Sequence, residues 1–224
     1  MMNGKDFGIG FSKFYSMQEF EFNIMRIKRA FLQNVFKSKL NLMQTYISIL
    51  RGINVSGQKK ILMADLKALF EKLMFKNVTT YIQSGNVVFK SKAELSDFEL
   101  AKKIQTAIFK EYDFQVPVII RTQQELQKII SSNPFLKEKN IHVEKLHVTF
   151  LSEIPAKDLN KSIDSLNFSP DRFYIIDKEV YLYIPNSYGE TKLSNKFFEN
   201  KLKVTTTTRN WKTVNKLEEI ASSI

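Results

Sequence analysis

From Met43 onward the apolar positions of the chain switch between two periods. Residues 45–50 are a short β-prone run that ends at Arg51-Gly52, and a polar, glycine-containing loop over 52–60 follows. Leu62, Leu66, Leu69, Phe70 and Leu73 then mark one face of a helix. Residues 79–83 and 86–90 read as two strands around Ser84-Gly85, a hairpin signal. Ser96-Asp97-Phe98-Glu99 is a capping box, and it opens a helix with Leu100, Ile104, Ala107 and Ile108 on one face. A strand over 116–121 completes a β-α-β-β-α-β order, the ferredoxin-like unit.

The pattern then recurs. Residues 122–132 predict a helix, stopped at Asn133-Pro134 because proline disfavours a helical residue before it. A strand over 145–151, a helix over 156–166 and two strands over 172–176 and 180–184 follow, the last two flanking a turn at Asp177-Lys178-Glu179. A helix over 192–201, a short strand over 203–207 and a final helix over 211–221 close the chain. The expected fold is therefore α+β: two ferredoxin-like units over 43–121 and 144–224, with a linking helix and loop over 122–143 and a C-terminal helix. The two units share no obvious residue identity, so the duplication rests on element order.

In a ferredoxin-like sheet of order 4-1-3-2, the loop after strand 1 and the hairpin between strands 2 and 3 leave at one end. That places Arg51, Asn54, Ser56 and Gly57 near Gln83, Ser84 and Asn86 in the first unit. The loops after strands 3 and 4 share the other end, which places residues 186–192 near Thr207, Thr208, Arg209, Asn210 and Trp211 in the second. Helix starts lie beside these polar poles, and their free N–H groups favour anions. Arg51, Asn54, Ser84, Asn86, Lys192, Arg209 and Asn210 are thus candidates for holding a small anionic, phosphorylated or nucleotide-like ligand. The bland alternative is a turn at Ser84-Gly85, a helix cap at Asn210 and a surface charge at Arg209.

Composition narrows the chemistry. There is no cysteine, so disulfides, thiolate metal sites and cysteine nucleophiles are excluded. The only histidines, His142 and His147, would face opposite ways in extended chain, and no metal-ligand spacing is present. The sequence demands no cofactor and names no catalytic residue. Asp65 and Glu190 sit beside the poles without forming a spaced acid–base pair. Gly52 and Gly57 have the spacing of a phosphate-binding loop, but Gln58 stands where lysine is needed and Lys59 comes one residue late.

The net charge of +11 suits anionic partners without naming one, and 28 lysines against 6 arginines fit an AT-rich genome as well as a binding surface. A second reading is therefore a nucleic-acid-binding module that stacks bases on sheet aromatics: Tyr46 and Phe89 in the first unit, Tyr181 and Tyr183, or His147 with Thr149, in the second. The competing expectation is that these faces pack on another layer. A third reading is an enzyme of unknown class at the same loops. Trp211 is expected to anchor the last helix.

Residues 1–42 stand apart, with seven basic and three acidic residues and Phe20, Ile24, Ile27, Phe31 and Val35 at helical spacing. They fit an early start codon ahead of Met43, a basic amphipathic helix docked on a membrane surface or on the body, or a targeting peptide that Glu19 and Glu21 argue against. No run is long enough to span a membrane and no secretory signal is evident, so a cytoplasmic location is expected. Oligomeric state is not readable.

Arg51-Gly52-Ile53-Asn54-Val55-Ser56-Gly57, Met63-Ala64-Asp65-Leu66 and the run from Thr80-Tyr81-Ile82-Gln83-Ser84-Gly85-Asn86 to Phe89 closely resemble the bacterial domain-of-unknown-function family 1697. Asn133-Pro134-Phe135, Leu146-His147-Val148, Glu179-Val180-Tyr181-Leu182 and Thr208-Arg209-Asn210-Trp211 continue the resemblance from Met43 almost to the C-terminus. It implies an α+β fold of ferredoxin-like units and brings no established activity. Met74 replaces a usual glycine, Thr191 a common serine and Lys212 a common asparagine.

Overall fold

A computed structural model describes residues 20, 22, 24–29, 43–164 and 166–224. Residues Met43–Ser91 and Leu95–Ile224 form one compact body, separate from the extension and Lys92–Glu94. In the extension, Phe20, Phe22 and residues 24–29 are helical, and Phe20, Phe22, Met25 and Ile27 are exposed. The other expectations for residues 1–42 lie outside the described residues.

In the first half, β1 (Met43–Leu50), α1 (Met63–Lys72), β2 (Lys76–Tyr81), β3 (Asn86–Lys92), α2 (Asp97–Tyr112) and β4 (Val118–Thr122) form an antiparallel sheet of order β2-β3-β1-β4 with two helices. The period-2 alternation of β1 does the sorting. Tyr46 and Leu50 point to the layer of α1 and α2, where they meet Leu66, Phe70, Ile104 and Ile108, while Ile47 and Ile49 point the other way. The Ser96–Glu99 capping box starts α2 as expected, with both of its reciprocal bonds made.

The second half repeats this with β5 (Leu146–Leu151), α4 (Lys157–Asp164), β6 (Arg172–Ile176), β7 (Glu179–Tyr183), α5 (Asn195–Leu202) and β8 (Thr206–Asn210), in sheet order β6-β7-β5-β8. Two boundaries move. Helix α5 begins at Asn195, capped by the Ser194 side chain, so Lys192 precedes the helix and is not in its first turn. Lys203 takes a left-handed conformation that closes α5, which delays β8 to Thr206–Asn210.

Helices α3 (Gln123–Ser131) and α6 (Trp211–Ser223) each follow directly on the last strand of a half. Thr122 caps α3 and Asn210 caps α6. The two helices pack together, with Gln123 donating to Ser222 and Gln127 to Glu218. The linking helix of the sequence reading is therefore the counterpart of the closing helix, and the repeated unit is β-α-β-β-α-β-α.

Three cores result. One lies between the first sheet and α1/α2, and one between the second sheet and α4/α5. The third joins the halves: Ile47, Ile49, Val88 and Ile119 of the first sheet and Val148, Phe150 and Tyr181 of the second share one buried cluster with residues of α3 and α6. Each sheet thus has apolar cover on both faces.

Candidate functional site

The central core decides the fate of the sheet aromatics. Tyr181 is buried in it, and its hydroxyl donates to the Ile129 carbonyl at 3.1 Å. Burial pushes its pKa far up. Tyr183 packs at the margin of the same core, against Phe135 and beneath the Arg172 guanidinium. Tyr46 and Phe89 stack on each other inside the first core, beneath the helices. Thr149 is fully buried and bonds Thr208 at 2.7 Å. The His147 ring stacks on Tyr188, with centroids 4.8 Å apart. The expectation of base-stacking tyrosines is corrected here: in this duplicated fold the surfaces that would stack bases cover one another or the helices.

The poles are joined by two arginines. Arg209, next to the end of β8, crosses to the first half and is only 9% exposed. Its Nε donates to Asn86 Oδ1 at 2.6 Å, and its Nη2 to the carbonyls of Leu50 and Ser84 at 2.7 and 2.8 Å. Nη1 donates to Thr207 Oγ1 and to the Thr208 carbonyl. That uses all five guanidinium donors. Arg121, next to the end of β4, makes the mirror-image set into the second half. Its Nε donates to Glu179 at 2.8 Å, its Nη2 to the carbonyls of Leu151 and Lys178, and its Nη1 to Ile120. Each arginine reads the last residue of the other half's first strand and the hairpin of its second and third strands. Both lie one residue before a helix cap, as Arg121-Thr122 and Arg209-Asn210. That shared placement is a residue-level trace of the duplication, beside the order of elements.

The seven candidate residues therefore have these positions. Arg51, Ser84, Asn86 and Arg209 converge where the first half's pole meets β8. Asn86 is fully buried, accepting from Arg209 and donating to Tyr81 O and Ser84 Oγ. Asn54, at φ 56°, braces the 52–60 loop: its amide donates to Ile61 O and Gln83 O while its oxygen accepts from Ile61 N–H. Asn210 caps α6 through Thr213 N–H at 2.8 Å. Lys192 lies apart, on the exposed connection from β7 to α5. Trp211, 8% exposed, is a central-core residue as expected.

The two junctions differ in charge. At the Arg121 junction, two cations, Arg121 and Lys178, meet three carboxylates, Glu179, Glu125 and Asp97. At the Arg209 junction the buried guanidinium meets the neutral amide of Asn86. Arg51 beside it pairs with Glu199, which also accepts from Thr206 N–H at 3.0 Å. Here two cations face one carboxylate. Burial pulls the pKa of Arg209 down to about 10 and lowers that of Arg51, yet both are charged at neutral pH. Tyr188 is within their field, and burial raises its pKa. Its buried hydroxyl lies against Thr208, which is also engaged with Thr149 and Asn195. Tyr188 lies in the 186–192 segment expected near Thr208 and Arg209, whereas Glu199 carries no sequence signal, because only the packing of α5 against the pole brings it there.

Residues 43–181 match the family described as Protein of unknown function (DUF1697). The chain belongs to this family. The match ends within β7, so the segment with Arg209 lies beyond it. No curated protein matches the chain. Among solved structures, a conserved bacterial protein from Streptococcus pneumoniae superimposes with a TM-score of 0.65 at 24% identity, over 81% of this chain and 99% of that one. The likeness is one of fold. Among the described residues no helix is long and apolar enough to cross a membrane, and no cluster of metal-ligating side chains is present.

Proposed function

We propose that this DUF1697 protein binds a small anionic molecule, phosphorylated or nucleotide-like, at the junction of Arg51 and Arg209. The observation that carries the reading is the charge imbalance: Arg209 is buried against Asn86, where the equivalent Arg121 is buried against Glu179. A buried cation without a carboxylate is costly unless another charge offsets it. Arg51, partly exposed and bonded through one side of its guanidinium to Glu199, is the group that meets the ligand. The Ser84 and Tyr188 hydroxyls are donors within the same junction, and Arg209 supplies field from behind. Asn54, Asn86 and Asn210 shape the site, and Lys192 lies apart from it.

Calorimetric titration with inorganic phosphate and with nucleoside mono- and diphosphates tests this. Arg51→Ala is expected to weaken binding at least about tenfold, the scale of one lost charge-assisted contact. Equal affinity in the wild type and the variant would remove Arg51 from the site.

A further inference from the structure

We infer that a cavity between the β7–α5 connection and the segment leading into β6 binds a small polyhydroxylated molecule of the sugar class. The cavity measures about 350 Å³, at the lower end of the range of small-ligand sites. Its walls are tied before any ligand arrives. The Thr191 hydroxyl donates to Asp171, joining the two segments, and accepts from Leu193 N–H at 3.1 Å. Asn167 Oδ1 accepts from Ser169 N–H at 2.9 Å, and the Asn186 carbonyl accepts from Lys145 at 3.3 Å.

Those ties leave over polar side chains in a wall that also includes Phe168 and Pro170. The Asn167 and Asn186 amide groups, the Ser169 hydroxyl, the Glu190 carboxylate and the Lys192 ammonium all line the cavity. None of these donates to a described residue, and the Asn186 amide and Glu190 carboxylate accept from none. Phe168 is the one aromatic ring in the lining. Adjacent hydroxyls of a sugar donate to a carboxylate and accept from an amide or ammonium, so one ring can satisfy several of these groups together. Asp171 and Glu190 outnumber Lys192, which turns an anion away. This charge balance is opposite to that of the Arg51 junction, so the cavity takes an uncharged or amine-bearing sugar. The inference does not depend on the phosphate reading.

The test is saturation-transfer NMR and calorimetry on the full chain, with neutral monosaccharides, a disaccharide, an amino sugar and, as contrast, inorganic phosphate. Saturable binding of at least one sugar is expected. It should weaken at least about tenfold in both Glu190→Ala and Asn186→Ala and persist in Arg51→Ala. Both cavity positions are exposed, so thermal melts should show the variants folded. Failure of every sugar to saturate, or saturable binding that survives both cavity variants, would overturn the inference. Phosphate binding lost in Arg51→Ala but kept in the cavity variants bears on the other site alone.

Discussion

At the scale of single residues, the two arginines hold the halves together but differ in what their charge meets. Arg209 satisfies Asn86 and the Leu50 and Ser84 carbonyls at once, so replacing it leaves several buried acceptors unpaired. Each such group costs about 1–3 kcal/mol, partly relieved by relaxation. Arg209→Met is therefore expected to lower unfolding free energy by about 3 kcal/mol in urea titrations. Arg209→Lys should recover little, because one ammonium cannot span five acceptors. At the other junction, burial of the Glu179 carboxyl outweighs the pull of Arg121 and raises its pKa, with Lys178 also lowering it and Glu125 adding to the rise. The folded state then holds the Glu179 proton to a higher pH than the unfolded chain does. This contribution to stability is full in acid and falls as pH rises from the ordinary carboxylate value to the raised one, then stays level. Glu179→Gln should remove that decline, visible as a pH-dependent difference between the stability curves of wild type and variant. A difference independent of pH across that window would contradict the assignment.

At the scale of elements, local chemistry and packing agree at several helix starts and conflict where α1 and α5 are followed by left-handed residues other than glycine. Capping boxes at Ser96 and Thr122 and the Asn210 cap form as the side chains dictate. After α1, Met74 is forced to φ 68° and is 73% exposed. Nothing in that exposed side chain compensates for the left-handed backbone. Met74→Gly is expected to stabilise the protein by about 0.5 kcal/mol, since the relief exceeds the extra freedom of glycine in the unfolded chain. A lower melting temperature for the variant would show that the methionine makes a compensating contact. Gly85 is the opposite case: at φ 77° its Cβ would lie 2.7 Å from Ile53 Cδ1, so the hairpin can close against β1 only with glycine.

At the scale of the whole molecule, the shared central core makes the halves one cooperative structure. Trp211 lies in that core, whereas backbone circular dichroism reports both sheets and all helices. The fluorescence and dichroism transitions in urea should coincide. Arg209→Met should move them together. A separated early transition would mean that the halves unfold independently and that the central core contributes little. The same packing explains why Tyr46 and Tyr181 are not presented by their sheets: one lies beneath the helices and the other in the central core.

The sequence by itself determined what is local. Period-2 and helical patterns fixed the strands and helices, side-chain caps marked the starts of α2 and α6, and the order of elements fixed two sheets of known strand order. It also brought Arg51, Asn54, Ser84 and Asn86 to one end, because a ferredoxin-like sheet leaves no other place for those loops. The tertiary structure alone decided what those residues do. Whether a guanidinium is spent on backbone carbonyls or left for a ligand depends on atoms far along the chain, 159 residues away for Arg209 with Leu50 and 58 for Arg121 with Glu179. The β8 boundary moved for the same kind of reason: a left-handed Lys203 carries no mark in a threonine-rich run. Charge balance, too, is a property of packing, since Asn86 and Glu179 occupy equivalent positions only once the two halves face each other.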